Sequence, residues 1–109
     1  MFVKPAKEVK FMQQSFEDHF ISLSEKSPIK KGIQRAIANL KENAFCGEKI
    51  EKRLIPKEYI TKYNLDNLWW YPLPDAWRLI YPIATNKSEV LVIIIEYFNH
   101  KGYERRFNY

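Results

Sequence analysis

Hydrophobic periodicity changes once along this chain, at Gly47. Before it, apolar residues recur at spacings of three and four; after it, they fall in short β-branched and aromatic runs bounded by turn residues. The first pattern buries one stripe of a helix and the second buries a face of a strand, so helices come first and a sheet follows. A chain of 109 residues has room for one core, which the two halves must share. The expectation is a single α+β domain spanning 1–109.

Over residues 5–24, Val9, Met12, Phe16, Phe20 and Leu23 keep helical spacing while Lys7, Lys10, Gln14 and Asp18 fall elsewhere on the wheel, which predicts an amphipathic helix. Ser27-Pro28 then supplies an N-cap followed by proline at the first helical position, and Ile29, Ile33, Ile37 and Leu40 carry one stripe to about residue 44. The short Glu25-Lys26-Ser27 link predicts an antiparallel αα-hairpin, and Gly47 stands where a helix end wants a residue tolerant of positive φ.

Beyond Gly47, residues 49–54 read as a short edge strand and residues 56–63 as one or two helical turns opened by Pro56. Residues 67–73, 77–83 and 89–98 read as three antiparallel strands, joined as a meander through Pro74-Asp75-Ala76 and residues 84–88. The architecture expected is an N-terminal αα-hairpin packed on one face of a three- or four-stranded antiparallel sheet.

Lys and Arg number 18 against 13 Asp and Glu, a net charge of +5 that attracts polyanions such as RNA, or an acidic protein. Cys46 is the sole cysteine, which excludes an internal disulfide and predicts a buried, inert thiol. No glycine-rich phosphate loop, HExxH or supported Ser/Cys nucleophile occurs, and the acids do not cluster as metal ligands, so no cofactor or metal is expected. The start of the chain is broken by charges, and the longest apolar run, residues 90–95, falls far short of the ~18 to 20 residues of a membrane span. A cytoplasmic protein with no membrane partner is expected.

Two helices, Gly47-Glu48-Lys49-Ile50, then Asn67-Leu68-Trp69-Trp70-Tyr71, Ala76-Trp77-Arg78-Leu79-Ile80-Tyr81, an apolar strand and His100-Lys101-Gly102-Tyr103 make up an order that resembles the RelE/ParE superfamily of type II toxins. The resemblance spans nearly the whole chain. It implies a glycine after the second helix, an arginine within the middle strand and a His or Arg ahead of a late tyrosine, places that Gly47, Arg78, His100 and Tyr103 fill. RelE-like members are ribosome-dependent, metal-independent mRNA endonucleases, whereas ParE-like members poison DNA gyrase without cutting RNA. Either kind implies a cognate antitoxin, and the first implies ribosome and mRNA as partners.

Metal-free RNA cleavage needs a base for the ribose 2′-hydroxyl, positive charge at the phosphate and an acid for the leaving oxygen. Arg78 is the candidate for charge stabilisation, because a guanidinium holds two phosphate oxygens at once; the structural reading of the same residue is a salt bridge to Glu96 or Asp75. His100, with a reference pKa of ~6.5, is the candidate acid or base, against an exposed strand-end imidazole. Tyr103 is the candidate to stack a base or assist proton transfer, against simple packing. Lys49, Lys52, Arg53, Lys57, Lys101, Arg105 and Arg106 are candidate RNA contacts, though Lys49 to Glu58 also reads as a solvated mixed-charge face. The two faces of the run Trp69, Trp70 and Tyr71 are not both expected to be core, which leaves one side for a partner, although core packing also explains Trp70 or Trp69; His19 reads as a surface or satisfied histidine.

Overall fold

The structure is a computed structural model that describes residues 4–86, 89–99, 105 and 107. Its elements are β1 (Glu8–Phe11), α1 (Gln14–Ser22), α2 (Pro28–Glu42), β2 (Glu48–Lys49), a 3-10 turn (Lys52–Leu54), α3 (Lys57–Tyr63), β3 (Trp69–Pro72), a second 3-10 turn (Pro74–Ala76), β4 (Arg78–Tyr81), β5 (Ile83–Asn86), β6 (Glu89–Ile94) and β7 (Glu96–Phe98). The α+β class expected from the periodicity is the class found. No described helix is long and apolar enough to cross a membrane.

The strands form two sheets, ordered β1-β6-β5 and β2-β3-β4-β7. One long hairpin belongs to both. Ile83 faces Val92 in the first sheet, and Ile80 faces Glu96 in the second. Between those pairs Tyr81 and Pro82 oppose Ile93, Ile94 and Ile95, so the second strand carries one extra residue, a β-bulge. Pro82 has no N–H to give a ladder; its carbonyl instead accepts from Ile93 N at 3.3 Å, and Ile80 O accepts from Ile95 N at 2.9 Å. The expected strands 77–83 and 89–98 are therefore each broken, and the simple meander is corrected to a hairpin that changes sheet at its bulge.

The bulge also reverses which residues face which way. Val90, Val92 and Ile94 join Ile33, Ala36 and Leu40 of α2 in one core. Ile95 joins Ile50, Ile55, Tyr59, Leu68 and Ile80 in a second core, and Tyr97 returns to the first. Leu79, Ile80 and Tyr81 are all fully buried, because β4 has a core on each side. The expectation of helices on one face alone is corrected accordingly: α2 covers one face, while α3 and the preceding turn cover the other. The same arrangement corrects the expectation of a partner-facing side on the aromatic run of β3: with a core on each face of the sheet, Trp69 and Tyr71 pack against the first and Trp70 against the second.

Residues 5–24 are not one helix. Residues 8–11 form β1, which pairs parallel with β6 through Val9↔Val92 and Phe11↔Ile94, and α1 starts only at Gln14. Val9 fits either periodicity, and alternation of exposed and half-buried residues decides for the strand once β6 offers its backbone groups. α2 forms as its cap predicts: Ser27 Oγ accepts from Lys30 N at 3.3 Å, and Pro28 occupies the first turn. It ends at Glu42, capped by Asn43 rather than by Gly47. Gly47 has no positive φ; a Cβ there would stand 2.6 Å from the Trp70 carbonyl oxygen and collide with the Tyr81 hydroxyl. The glycine is a close-approach residue. The expected strand 49–54 shrinks to β2 and a 3-10 turn, while α3 follows Pro56 as expected.

α1 contributes no buried residue, and its Ile21 is 61% exposed. Lys30 of α2 holds its end. The Lys30 ammonium, on a residue only 6% exposed, donates to Ile21 O at 3.2 Å, Leu23 O at 3.0 Å and Glu25 Oε1 at 2.7 Å. All three protons are used, and a cation sits at a helix C-terminus, where the macrodipole favours it. Hydrogen bonding to Lys30 and its charge hold the exposed Glu25 carboxyl below its usual value.

Candidate functional site

Arg78 opens β4 on the same side as Ile80, facing the second core. β3 runs antiparallel beside it with Trp70 opposite Ile80, so Trp70 and Arg78 are diagonal neighbours on one face. The guanidinium lies over the indole, its Cζ 4.1 Å from the ring centroid. On the other flank, β7 sets Phe98 opposite Arg78 and Glu96 opposite Ile80. Glu96 accepts a hydrogen bond from the Tyr59 hydroxyl, and Phe107 packs edge-on against Tyr59 at 6.1 Å and 65°. A half-buried cation, held flat by an aromatic ring, therefore shares one face of the sheet with a carboxylate–phenol pair and a residue from the end of the chain. Such a guanidinium is a pre-positioned planar donor for an oxyanion.

Four expected site residues, His100, Lys101, Tyr103 and Arg106, lie outside the described residues. Arg105 is exposed. The basic residues near β2 do not join Arg78: Lys49 pairs with Trp69 at one end of β3, while Arg78 lies opposite Pro72 at the other. Lys52 and Arg53 lie on the 3-10 turn and Lys57 opens α3, all exposed. Arg53 Nε pairs with Glu51 at 2.8 Å, while Lys49 and Lys52 line a cleft of about 420 Å³ with Ile50, Glu51, Ile55 and Asp66.

Three further residues complete the surroundings. His19 Nδ1 and the Tyr97 hydroxyl share a hydrogen bond, and their rings stack at 5.8 Å; burial pushes the Tyr97 phenol up. This pair ties α1 to the first core, on the opposite side of the sheet from Arg78, so of the two readings of His19 the satisfied histidine is the one found. Asn67 is the second, and its role is the one the sequence reading missed: its carboxamide donates to Ile83 O at 2.9 Å and accepts from Ile83 N at 2.8 Å, as a neighbouring strand residue would. The third is Cys46, which is exposed, correcting the expected buried thiol; partial desolvation still raises its pKa. A double contact between one side chain and a backbone 16 residues away leaves no periodic trace in sequence.

No family model matches the chain, nor does any curated protein or solved structure.

Proposed function

We propose that this chain is the RelE-like toxin of a type II toxin-antitoxin pair, a cytoplasmic, ribosome-dependent and metal-independent endoribonuclease that cuts mRNA and so stops translation. The observation that carries the reading is the Arg78 guanidinium at the start of the central strand β4, stacked on Trp70 on the face of the sheet that carries the second core. Cleavage without a metal depends on such a cation to neutralise the charge that develops on the phosphate. His100 follows Phe98, the ladder partner of Arg78, by two positions in the sequence, which keeps it and Tyr103 as the proton-transfer candidates. Two consecutive helices ahead of an antiparallel strand run with an arginine in its middle support the RelE/ParE-like arrangement. The net charge of +5 suits rRNA and mRNA, and an antitoxin covering the basic surface would hold the toxin inactive.

A second reading is favoured by the same contact. Stacking on Trp70 is sufficient reason for an arginine to be kept here without chemistry, as in a ParE-like inhibitor or a degenerate module that binds RNA or antitoxin only. A reconstituted translation reaction separates the two. The enzyme gives mRNA fragments ending at codon boundaries, and Arg78→Ala lowers the cleavage rate by about 10²- to 10³-fold, the loss of about 2.7 to 4 kcal/mol of transition-state stabilisation. Intact mRNA with normal peptide output overturns the enzyme reading, and a normally cutting Arg78→Ala protein overturns the site.

A further inference from the structure

We infer that the outward face of α2 docks on the phosphate backbone of double-stranded RNA. The choice of RNA rests on the endoribonuclease reading, under which that RNA is ribosomal; the surface itself follows from where the charge lies. Residues 26–41 hold five cations, Lys26, Lys30, Lys31, Arg35 and Lys41, and no acid, while the other thirteen cations of the chain are matched by its thirteen acids. This one segment therefore carries the whole net charge of +5. Lys30 is buried and engaged with the end of α1, but Lys26, Lys31, Arg35 and Lys41 are exposed. Among the described residues, none of these four side chains enters an ion pair or a hydrogen bond. Of the two acids that flank the segment, Glu25 is taken up by Lys30 and Gln34, which leaves Glu42 alone at the end of α2.

Ile33, Ala36 and Leu40 turn the inner side of α2 into the first core, so the exposed positions Lys31, Gln34, Arg35, Ala38, Lys41 and Glu42 share one outward flank. At about 1.5 Å of rise per residue, Lys31 and Lys41 stand about 15 Å apart along the helix axis. A nucleic-acid duplex carries a charge about every 2 Å of its axis, so this flank meets several phosphates at once. The flank has no aromatic ring on which an unpaired base could stack, and no large apolar side chain to anchor a protein or to enter a membrane. It offers charge on a convex rod, with the small Ala38 letting the helix approach closely, and this suits a regular backbone better than a single strand or a folded protein. Its place in the fold also matches the task. α2 covers the first core and Arg78 faces the second, so the two surfaces lie on opposite sides of the sheet. A chain that cuts mRNA only as the ribosome presents it has to hold the ribosome by a surface other than its cutting face. Phosphate contacts fix position and orientation without reading sequence, which is what such a hold requires.

The test is fluorescence anisotropy of a labelled RNA duplex of mixed sequence, titrated with the full-length protein across a salt series. Lys31→Gln, Arg35→Gln and Lys41→Gln, singly and together, stand at exposed positions and keep helix propensity, so the fold is retained. Each substitution is expected to weaken binding severalfold and to lower the slope of log K against log salt by about 1, and the triple variant lowers it by about 3. A parent protein that binds the duplex through these residues yet leaves mRNA intact on the ribosome upholds the surface and overturns the enzyme reading alone. Variants that keep the parent's affinity and slope overturn the proposal. So does a DNA duplex bound as tightly as RNA, or a single strand bound more tightly than either. Polyglutamate that binds through the same three residues while the RNA duplex does not would assign the face to an acidic protein and overturn it as well.

Discussion

At Gly47 the Trp70 carbonyl and the Tyr81 hydroxyl leave no room for a methyl group. Gly47→Ala therefore forces the loop or β3 to shift, and a loss of about 1 to 3 kcal/mol in denaturant unfolding is expected, the usual cost of overpacking. Sequence reading found this glycine but gave it the wrong task, since a backbone approach across 23 positions has no local signature, whereas a helix end does. Ser27 was legible because an N-cap acts within one turn. Glu25 carries a pH dependence of definite sign. Its folded-state pKa is depressed, so its contribution is present above the ordinary carboxylate range and is lost as pH falls through that range to the folded value. Acid titration of thermal stability should show this decline, and Glu25→Gln should flatten it.

Elements differ in how far their own sequence determines them. α2 carries its cap, its proline and its stripe in one stretch, and it forms where they say. β1 does not: Val9 serves a helical and a strand pattern alike, and its partner Val92 lies far along the chain, so only pairing decides. α1 is the element least secured by burial, and Lys30 compensates by holding its terminal carbonyls. Lys30→Met keeps the aliphatic stem and leaves those carbonyls without a donor, which should cost about 1 to 3 kcal/mol. Amide exchange in residues 14–22 should accelerate more than in α2, because α1 opens locally first. Equal acceleration in both helices would show that the lysine secures the whole domain.

Across the whole molecule, the two cores meet at the hairpin, and the expectation of a one-sided sheet failed there because residues 90–95 are uniformly apolar. Such a run does not reveal where its alternation slips. The Arg78 site was legible as a strand arginine among aromatics; its stacking on Trp70 was not, since it depends on the register of β3 against β4. The bulge gives a prediction at this scale. Deleting Ile95 restores two residues facing two, so every other side chain keeps its face; cooperative unfolding should persist with a loss of about 2 to 5 kcal/mol for one buried isoleucine. Deleting Val92 instead turns its neighbours to the wrong face and should abolish the cooperative transition seen by calorimetry. Within this hairpin, then, strand length is free to vary at one point. A residue lost there shortens the hairpin and eases its bend while the alternation on either side is kept, so the bulge is the one joint in this hairpin at which length and facing are not locked together.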